Sequence, residues 1–443
     1  MLRKHKICLS GRRGLLVSLT VLLIMLVLYF SAPDVFEAFD LRLLDWRFRL
    51  RGPLDSGGLV KLIVVDAADR HQYGLEDKFR DKLAGVLDQV CAGGARVVGL
   101  DIFFTGNPFN FTDKATRHLI EAADRCRNVV MGFNWNYDEP NRLAHAESIG
   151  RLRLLDATRS PQEPGFTPEM IPEKAQVADA NLIRHAAAVG FFTILADLKK
   201  RAYKVPATQV YNKSYYYPFS LAVVRTFFRQ PGFGLATEPG QRTLSGPDLG
   251  NLALRPDPKG YLWFNFYGGA SAFPSLGFGD AVEQGVPADF ARGAIVLIGV
   301  TGDDCGDLFD TPFDANTPGV VLHATAVANA LSNRFLTRDL SVRAVELSLL
   351  VACALILGLL TPWLAPLPAI TLGPILIAMV TLLSGTLFQR SAIWVQLACP
   401  LLEIIVLHLL LLTLRISMAE QAAGCLEKQN PGAVQSMDEN PTA

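Results

Sequence analysis

Arg96-Val-Val-Gly-Leu-Asp-Ile-Phe-Phe104 is a short apolar run with a single acidic residue, and it lies at the centre of a repeating pattern. A similar run, Val60-Lys-Leu-Ile-Val-Val-Asp66, precedes it, and Asn128-Val-Val-Met-Gly-Phe133 follows it. Two amphipathic stretches, Asp77 to Cys91 and Thr112 to Cys126, separate the three runs. Short β-branched runs predict strands and amphipathic stretches predict helices. Strands that alternate with helices predict parallel βαβ units, in which helices cover the faces of a sheet.

The same reasoning extends further along the chain. It predicts two more strands at residues 261–267 and 294–300, and two more helices at residues 217–228 and 323–333. The Pro- and Gly-rich segments at residues 160–165 and 231–250 predict loops. We therefore expect residues 32–340 to form one α/β domain with a mixed or parallel sheet.

The composition adds a membrane component to this domain. The chain has 443 residues, of which 50% are hydrophobic and only 19% charged, and its mean hydropathy is +0.26. This balance is more apolar than that of an ordinary soluble protein. Forty-two basic residues balance forty-two acidic ones, so the basic excess typical of a nucleic-acid-binding protein is absent, and we expect no nucleic-acid partner.

An apolar run from Leu15 to Phe30 predicts the first membrane span, at residues 15–31. Five basic residues and no acidic residue precede this run: Arg3, Lys4, Lys6, Arg12 and Arg13. The positive-inside tendency then leaves residues 1–14 in the cytoplasm and sends the α/β domain outward. A cleaved signal peptide is the alternative interpretation. The poor cleavage site at Ser31-Ala-Pro-Asp34 favours an uncleaved anchor.

Residues 341–414 contain three more apolar runs, at residues 342–364, 368–388 and 393–414. Each is long enough to cross about 30 Å of hydrocarbon as a helix. Four spans return residues 415–443 to the cytoplasm as a short tail. Glu403 and His408 lie inside the last run, and ionisable groups in a membrane are expensive and often functional. The alternative is that each of them bonds to a neighbouring span and fixes the packing.

The segment after the strand at residues 294–300 carries four aspartates, Asp303, Asp304, Asp307 and Asp310. Carboxylates can bind a hard cation, but this spacing differs from that of an EF-hand loop, so a structural loop is favoured over a metal site. No nucleophile elbow, zinc motif or phosphate-binding loop accompanies His323. We therefore predict no catalytic residues, no resident metal and no cofactor.

Arg47, Arg49 and Arg51 alternate along Asp45-Trp-Arg-Phe-Arg-Leu-Arg-Gly52. In an extended segment they would share one face, which suits lipid head groups, an anionic ligand or acidic residues of the domain. Cys91 and Cys126 each close a predicted helix just before a strand, so they form either a disulfide or two buried thiols. Cys305 is the third cysteine of the domain.

These residues resemble CHASE type-two sensor domains, the sensory extracellular domains associated with cyclases and histidine kinases. The resemblance rests on 45–52, on Val64-Val-Asp66, on the block from Gly94 to Phe104 that includes Asp101, and on a closing block. The closing block comprises Asp307-Leu-Phe-Asp-Thr-Pro-Phe313, Pro318-Gly-Val-Val-Leu-His-Ala324 and Asn329. Asp307, Thr311, Pro312, Gly319 and His323 match recurring positions, as structural or ligand-facing residues.

The resemblance implies an extracytoplasmic α/β sensor domain in a multi-pass protein of the bacterial inner membrane. Such receptors commonly continue into a cyclase or kinase domain, for which residues 415–443 are too few. We expect a non-enzymatic sensor that binds a small molecule or an envelope protein and signals through a separate cytoplasmic or membrane partner. Homo-oligomerisation stays open. The alternative is an envelope scaffold that reuses the sensor fold, for which residues 211–217, rich in tyrosine, would serve as an interface.

Overall fold

The computed structural model describes residues 2–74, 76–104, 114–136, 174–176, 180–197, 199–211, 214–229, 234–238, 241–245, 253–302 and 307–429. The predicted loop at residues 160–165, the predicted helix start at Thr112, and Asp303, Asp304 and Cys305 lie outside these residues. The chain forms two compact units. The helical unit comprises Met1–Leu44, Val342–Arg390 and Trp394–Ala443, and the α/β unit comprises Asp45–Ser341 and Ser391–Ile393.

The helices and strands are numbered along the chain. The helices are α1 (Leu2–Ser31), α2 (Pro33–Arg51), α3 (Ala67–Tyr73), α4 (Asp77–Ala92), α5 (Lys114–Cys126), α6 (Ala180–Arg184), α7 (Phe219–Phe227), α8 (Phe278–Glu283), α9 (Ala288–Ala291), α10 (Gly319–Leu331), α11 (Leu340–Leu360), α12 (Pro366–Ser391) and α13 (Ala398–Gln429). The strands are β1 (Val60–Val65), β2 (Val97–Asp101), β3 (Val129–Asn136), β4 (Lys174–Gln176), β5 (Ala188–Phe191), β6 (Leu195–Ala196), β7 (Ala202–Pro206), β8 (Gln209–Tyr211), β9 (Ser214–Tyr216), β10 (Gly234–Glu238), β11 (Gln241–Ser245), β12 (Ala253–Leu254), β13 (Tyr261–Trp263), β14 (Ser275–Gly277), β15 (Ile295–Val300), β16 (Leu308–Phe309) and β17 (Thr317–Pro318).

Within the described residues, the main sheet of the α/β unit has seven strands, and the prediction of an α/β fold is confirmed. Strands β14, β1, β15, β2, β3 and β5 follow one another in parallel register, whereas β4 pairs with β3 in the antiparallel direction. The sheet is therefore mixed. β15 comes late in the chain and yet lies between β1 and β2, so the centre of the sheet forms only when distant segments meet.

Successive side chains of each strand point to opposite faces of the sheet, and the two faces differ in composition. Large apolar residues such as Val98 and Leu100 of β2 point to one face and share a core with α4 and α5. On the other face lie Gly99, Gly190 and Gly299, against which α7 and α10 pack. A Cβ on Gly190 would lie 2.6 Å from the backbone Cα of Phe219. Only glycine therefore permits this close approach of helix to sheet.

Arg47, Arg49 and Arg51, at the start of the α/β unit, lie on a helix, so the prediction of an extended segment is wrong. They belong to α2, where Phe36, Asp40, Leu44 and Phe48 are buried at a spacing of four residues. This spacing is the period of one helical face, and it decides the structure more strongly than the alternation of charges. The three arginines therefore do not share one face.

Three other sequence expectations differ from the structure. The predicted strand at residues 261–267 ends at Trp263, and the predicted loop at residues 231–250 contains the antiparallel hairpin β10–β11. Tyr216 and Tyr217 are buried, because they begin the segment that carries α7 onto the glycine face of the sheet. Their side chains are therefore not part of an exposed interface.

Among the residues that the structure describes, four helices of the helical unit are long and apolar enough to cross a membrane, and the prediction of four such helices is confirmed. They extend over Arg12–Ser31, Leu340–Leu360, Pro366–Ser391 and Ala398–Gln421. The last helix begins at Ala398, later than the predicted residue 393, because the backbone before it is irregular.

Two carboxylates accept hydrogen bonds from the backbone N–H groups at the start of α13. Asp40 Oδ1 accepts hydrogen bonds from the N–H groups of Leu397 (2.7 Å) and Ala398 (3.1 Å). Glu346 Oε1 accepts from the N–H of Gln396 (2.7 Å), and its other oxygen accepts from the hydroxyl of Tyr29 (2.6 Å). Unpaired N–H groups at a helix start are costly in an apolar setting, and negative charge is favourable there. We call Asp40 and Glu346 the carboxylate caps of α13.

Candidate functional site

The carboxyl ends of β15 and β2 lie side by side at one edge of the sheet. After β2 the chain continues to α5 on the apolar-core face, and after β15 it continues through β16 and β17 to α10 on the glycine face. Adjacent parallel strands whose connections leave to opposite faces open a crevice between them. In open α/β sheets this crevice is the usual position of a ligand.

A cavity of about 530 Å³ occupies this edge, and we call it the sensor crevice. Its lining combines aromatic and aliphatic side chains with a few polar groups, which is typical of small-molecule sites. The lining residues are Arg70, Asp101, Ile102, Phe103, Asn134, Trp135, Phe192, Thr193, Ile194, Val300, Asp307 and Phe309.

Asp101 and His323 meet beneath the sensor crevice. Asp101 ends β2 two residues after Gly99, so alternation directs it to the glycine face, where α10 carries His323. His323 Nε2 lies 3.8 Å from Asp101 Oδ1 and has no hydrogen-bond partner among the described residues. The imidazole packs against the rings of Phe219 and Phe192, with centroids 5.2 and 6.0 Å away.

Burial controls the protonation of this pair. Desolvation lowers the pKa of His323 to about 3, so the imidazole is neutral at pH 7. Desolvation, and then the nearby charge of Asp307, raises the pKa of Asp101 well above its ordinary value. A carboxyl with a raised pKa beside a neutral imidazole supplies polar groups that can exchange hydrogen bonds with a ligand.

Asp307 is a second carboxyl at the crevice. The residue as a whole is exposed, but its carboxylate packs against Gly319. It occupies the space that the Cβ of any other residue at position 319 would need. Its backbone carbonyl accepts a hydrogen bond from the N–H of Gly319 (3.0 Å). Desolvation of the carboxylate raises the pKa of Asp307 to about 6. Asp307 and Gly319 thus form one structural pair at the start of α10.

His323 predicts a measurable pH dependence of stability. Its pKa is about 3 in the folded protein, against about 6.5 in the unfolded chain. Below pH 6.5 the unfolded state takes up a proton at His323 that the folded state does not. The contribution of the neutral imidazole to the free energy of unfolding is therefore fully present above pH 6.5 and decreases as the pH falls. We expect the stability advantage of wild type over His323→Gln to shrink by about 2 kcal/mol between pH 7 and pH 5.

The measurement is denaturant unfolding of the full chain in detergent at both pH values. Asp307, with a pKa of about 6, is present in both proteins, so its effect largely cancels from the difference. His118→Gln, at an exposed histidine beside Asp81, controls for the substitution itself. A constant difference between wild type and His323→Gln across this range would contradict a neutral buried imidazole.

Five other residues that the sequence singled out have structural contacts outside the crevice. Asp66 caps α3 by accepting from the N–H of Asp69 (2.9 Å). Arg49 Nε donates to the carbonyl of Pro312 (2.9 Å), and Thr311 Oγ1 donates to the carbonyl of Asp314 (3.0 Å). Arg51 donates to Asn265 Oδ1 (2.5 Å) and to the carbonyl of Phe266. Arg47 lies half-buried on α2, one turn before Arg51.

The sequence-predicted residues thus separate into two groups. Asp101, Asp307 and His323 come together at the crevice, whereas the arginines of α2 and the Thr311–Pro312 turn hold the α/β unit together. Sequence reasoning missed the aromatic part of the crevice, above all Trp135 and Phe192. Trp135 lies near the carboxyl end of β3 and Phe192 directly follows β5. The rule that ligands bind at the carboxyl ends of parallel strands would have found both.

The two ionisable residues of α13 have different environments. His408 Nε2 lies 3.0 Å from the carbonyl of Ile370 on α12, which fits a packing role. Glu403 is fully buried, and neither of its carboxylate oxygens has a hydrogen-bond partner among the described residues. Within the described part of the chain, no three His, Cys, Asp or Glu residues cluster closely enough to hold a metal ion.

The fold and the crevice define a class of protein: an α/β domain with a ligand-type crevice, combined with helices apolar enough to cross a membrane. The model of the CHASE2 domain family matches residues 19–360. This match covers more than half of the chain, and the chain belongs to the CHASE2 family, a family of sensor domains. Searches of the curated proteins and of the solved structures found no match.

Proposed function

We propose that this protein is a membrane-anchored extracytoplasmic sensor that binds a small organic ligand in the sensor crevice without converting it. The observation that carries the proposal is the cavity of about 530 Å³ at the carboxyl edge of the sheet. The bound state is passed to a separate signalling protein. Transmission requires that the ligand bind more tightly to one of two conformations of the protein.

The crevice suggests the chemistry of the ligand. Asp101 and Asp307 offer carboxyl groups whose pKa values are raised by desolvation, and an amine would favour their charged forms. Trp135 and Phe192 offer ring surfaces to an apolar or cationic group. The ligand class that fits best is a small molecule with an amine or several hydroxyls at one end and an apolar part at the other.

Two features support an extracytoplasmic position for the α/β unit. Cys91 and Cys126 form a disulfide between α4 and α5, with a Cα–Cα distance of 5.6 Å. Disulfides persist in oxidising compartments such as the periplasm and are rare in the cytosol. The basic cluster before the first apolar helix favours the same orientation, in a multi-pass protein of the bacterial inner membrane.

The test uses the fluorescence of Trp135. The full chain in phosphatidylcholine nanodiscs is titrated with a panel of small amines and polyols, and a ligand of the crevice should change the tryptophan emission of wild type but not of Trp135→Phe. Asp101→Asn should weaken binding roughly tenfold, because a hydrogen bond to a charged group contributes about 1.5–3 kcal/mol. Asp81→Asn, at an exposed acid of α4, is the matched control.

A ligand that binds Asp101→Asn and wild type equally well would place its site elsewhere and contradict the proposal, as would a panel with no ligand at all. Tyr216 and Tyr217 of the tyrosine-rich segment give the scaffold alternative no support, since both are buried.

A further inference from the structure

A second cavity, of about 650 Å³, lies at the opposite edge of the same sheet. Arg96 precedes β2, Asn128 precedes β3 and Ala187 precedes β5, so the cavity opens at the amino ends of three parallel strands. We call it the arginine cavity. Its other lining residues come from the loop before β2 and from the carboxyl ends of α5 and α7: Gly94, Ala95, Cys126, Arg127, Arg225, Thr226, Phe227 and Arg229.

The lining holds four arginines and no acidic residue among those that the structure describes. Arg225 is only 5% exposed, and Arg96 lies over the ring of Phe227 at 4.8 Å from its centroid. Within the described part of the chain, Arg96, Arg127 and Arg229 form no ion pair with an acidic side chain. Like charges that converge on one cavity repel one another, so this arrangement is favourable when an anion lies between them.

Arg125 lies close to the cavity but differs from the arginines that line it, because it has an acidic partner. It precedes Arg127 by two positions and makes a two-pronged contact with Asp88, at 2.7 and 3.0 Å. An arginine close to the cavity but outside its lining thus has an acidic partner. Among the described residues, Arg96, Arg127 and Arg229 have no such acidic partner.

The backbone gives an independent indication. Arg127 and Arg229 follow the ends of α5 and α7 with φ values of 59° and 56°. Positions of this kind, just after a helix, are usually glycine, because a side chain in the left-handed region costs about 1–2 kcal/mol. Arginine at both positions is thus a poor choice for the backbone. At both positions the arginine side chain lines the cavity.

The alternative is that the arginines merely complement the negative ends of helix dipoles. This interaction explains a basic residue at one helix end, and a lysine in the last turn would serve equally well. It does not explain why residues from two helix ends and a loop before β2 converge on one cavity. The planar fork of arginine matches carboxylate and phosphate oxygens, and lysine does not offer this geometry.

We propose that the arginine cavity binds a small oxyanion with more than one negative charge, a compound with phosphate or carboxylate groups. This site is separate from the sensor crevice, and it does not depend on the proposed sensor function. Arg127 and Arg229 contact the anion from the two helix ends, and Arg96 and Arg225 complete the positive lining.

The test measures binding of inorganic pyrophosphate and of citrate to the full chain in phosphatidylcholine nanodiscs, at constant ionic strength. We expect at least one of them to bind far more tightly than chloride does, and the tighter of the two identifies the phosphate or the carboxylate class. Arg127→Gln and Arg229→Gln should each weaken binding about tenfold, in line with one lost charge-assisted hydrogen bond. Arg125→Gln, the matched control, should bind as wild type does.

Arg127→Gly separates a binding role from a structural one. Because glycine suits the left-handed backbone, this variant should unfold at the same temperature as wild type or a higher one, and yet bind the anion about tenfold more weakly. If neither anion binds better than chloride, or if Arg125→Gln weakens binding as much as Arg127→Gln does, the proposal is wrong. A lower unfolding temperature of Arg127→Gly with unchanged anion binding would also overturn it.

Discussion

Replacing Cys91 and Cys126 together by serine is expected to lower the free energy of unfolding of the α/β unit by about 4 kcal/mol. The disulfide joins residues separated by 35 positions, and closing a loop of this size in the unfolded chain contributes roughly that amount in the chain-entropy model. The bond links α4 to α5, the helix pair that covers the apolar-core face of the sheet. Its loss therefore affects the whole core and not a surface loop.

Denaturant unfolding of the full chain in detergent, with and without a reductant, measures this effect. The reductant should destabilise wild type to a similar extent and should have no further effect on the double serine variant. If the double variant were within about 1 kcal/mol of wild type, the disulfide would not be the stabilising link that the structure indicates.

Asn329→Ala is expected to have an effect of similar size, about 4 kcal/mol. Asn329 is fully buried on α10, and its side-chain amide bonds to both backbone groups of Asn265. Its Oδ1 accepts from the N–H of Asn265 (2.8 Å), and its Nδ2 donates to the carbonyl of Asn265 (2.9 Å). Truncation leaves two buried backbone groups without partners, at about 1–3 kcal/mol each.

Thr325→Val on the same helix is the matched control. Thr325 is equally buried, and its hydroxyl donates only to the carbonyl of Val321 in its own helix. Removing that bond leaves no buried backbone group unpaired, so the cost should remain below about 1 kcal/mol. Equal effects of the two substitutions would show that burial alone, and not the paired amide, determines the stability at this helix.

Strands β1, β2, β3 and β15 could be predicted from the sequence to within a few residues, because each consists mainly of apolar residues. Strands β5 and β14 could not, since they have only four and three residues and are held by their neighbours rather than by their own pattern. The place of β15 between β1 and β2 was equally inaccessible. It depends on the pairing of segments far apart in the chain.

The candidate site was predictable in parts. Asp101, Asp307 and His323 stand out individually in the sequence, but their convergence depends on the order of strands in the sheet. Trp135 and Phe192 join them only because β3 and β5 are neighbours. The arginine cavity gave no sequence signal, since Arg96, Arg127 and Arg229 are scattered along the chain and resemble ordinary surface charges.

The carboxylate caps of α13 have a consequence for biogenesis. Asp40 lies 357 positions before Leu397, whose N–H it binds. During synthesis, the ribosome completes the whole α/β unit before the start of α13 exists. The first helices of the helical unit therefore cannot complete their contacts until α13 has been synthesised. This happens only after the whole α/β unit has been synthesised. Because long-range closure is slow, we expect the final step of maturation to be the arrival of the last helix, and truncation before residue 397 to leave the earlier helices incompletely assembled.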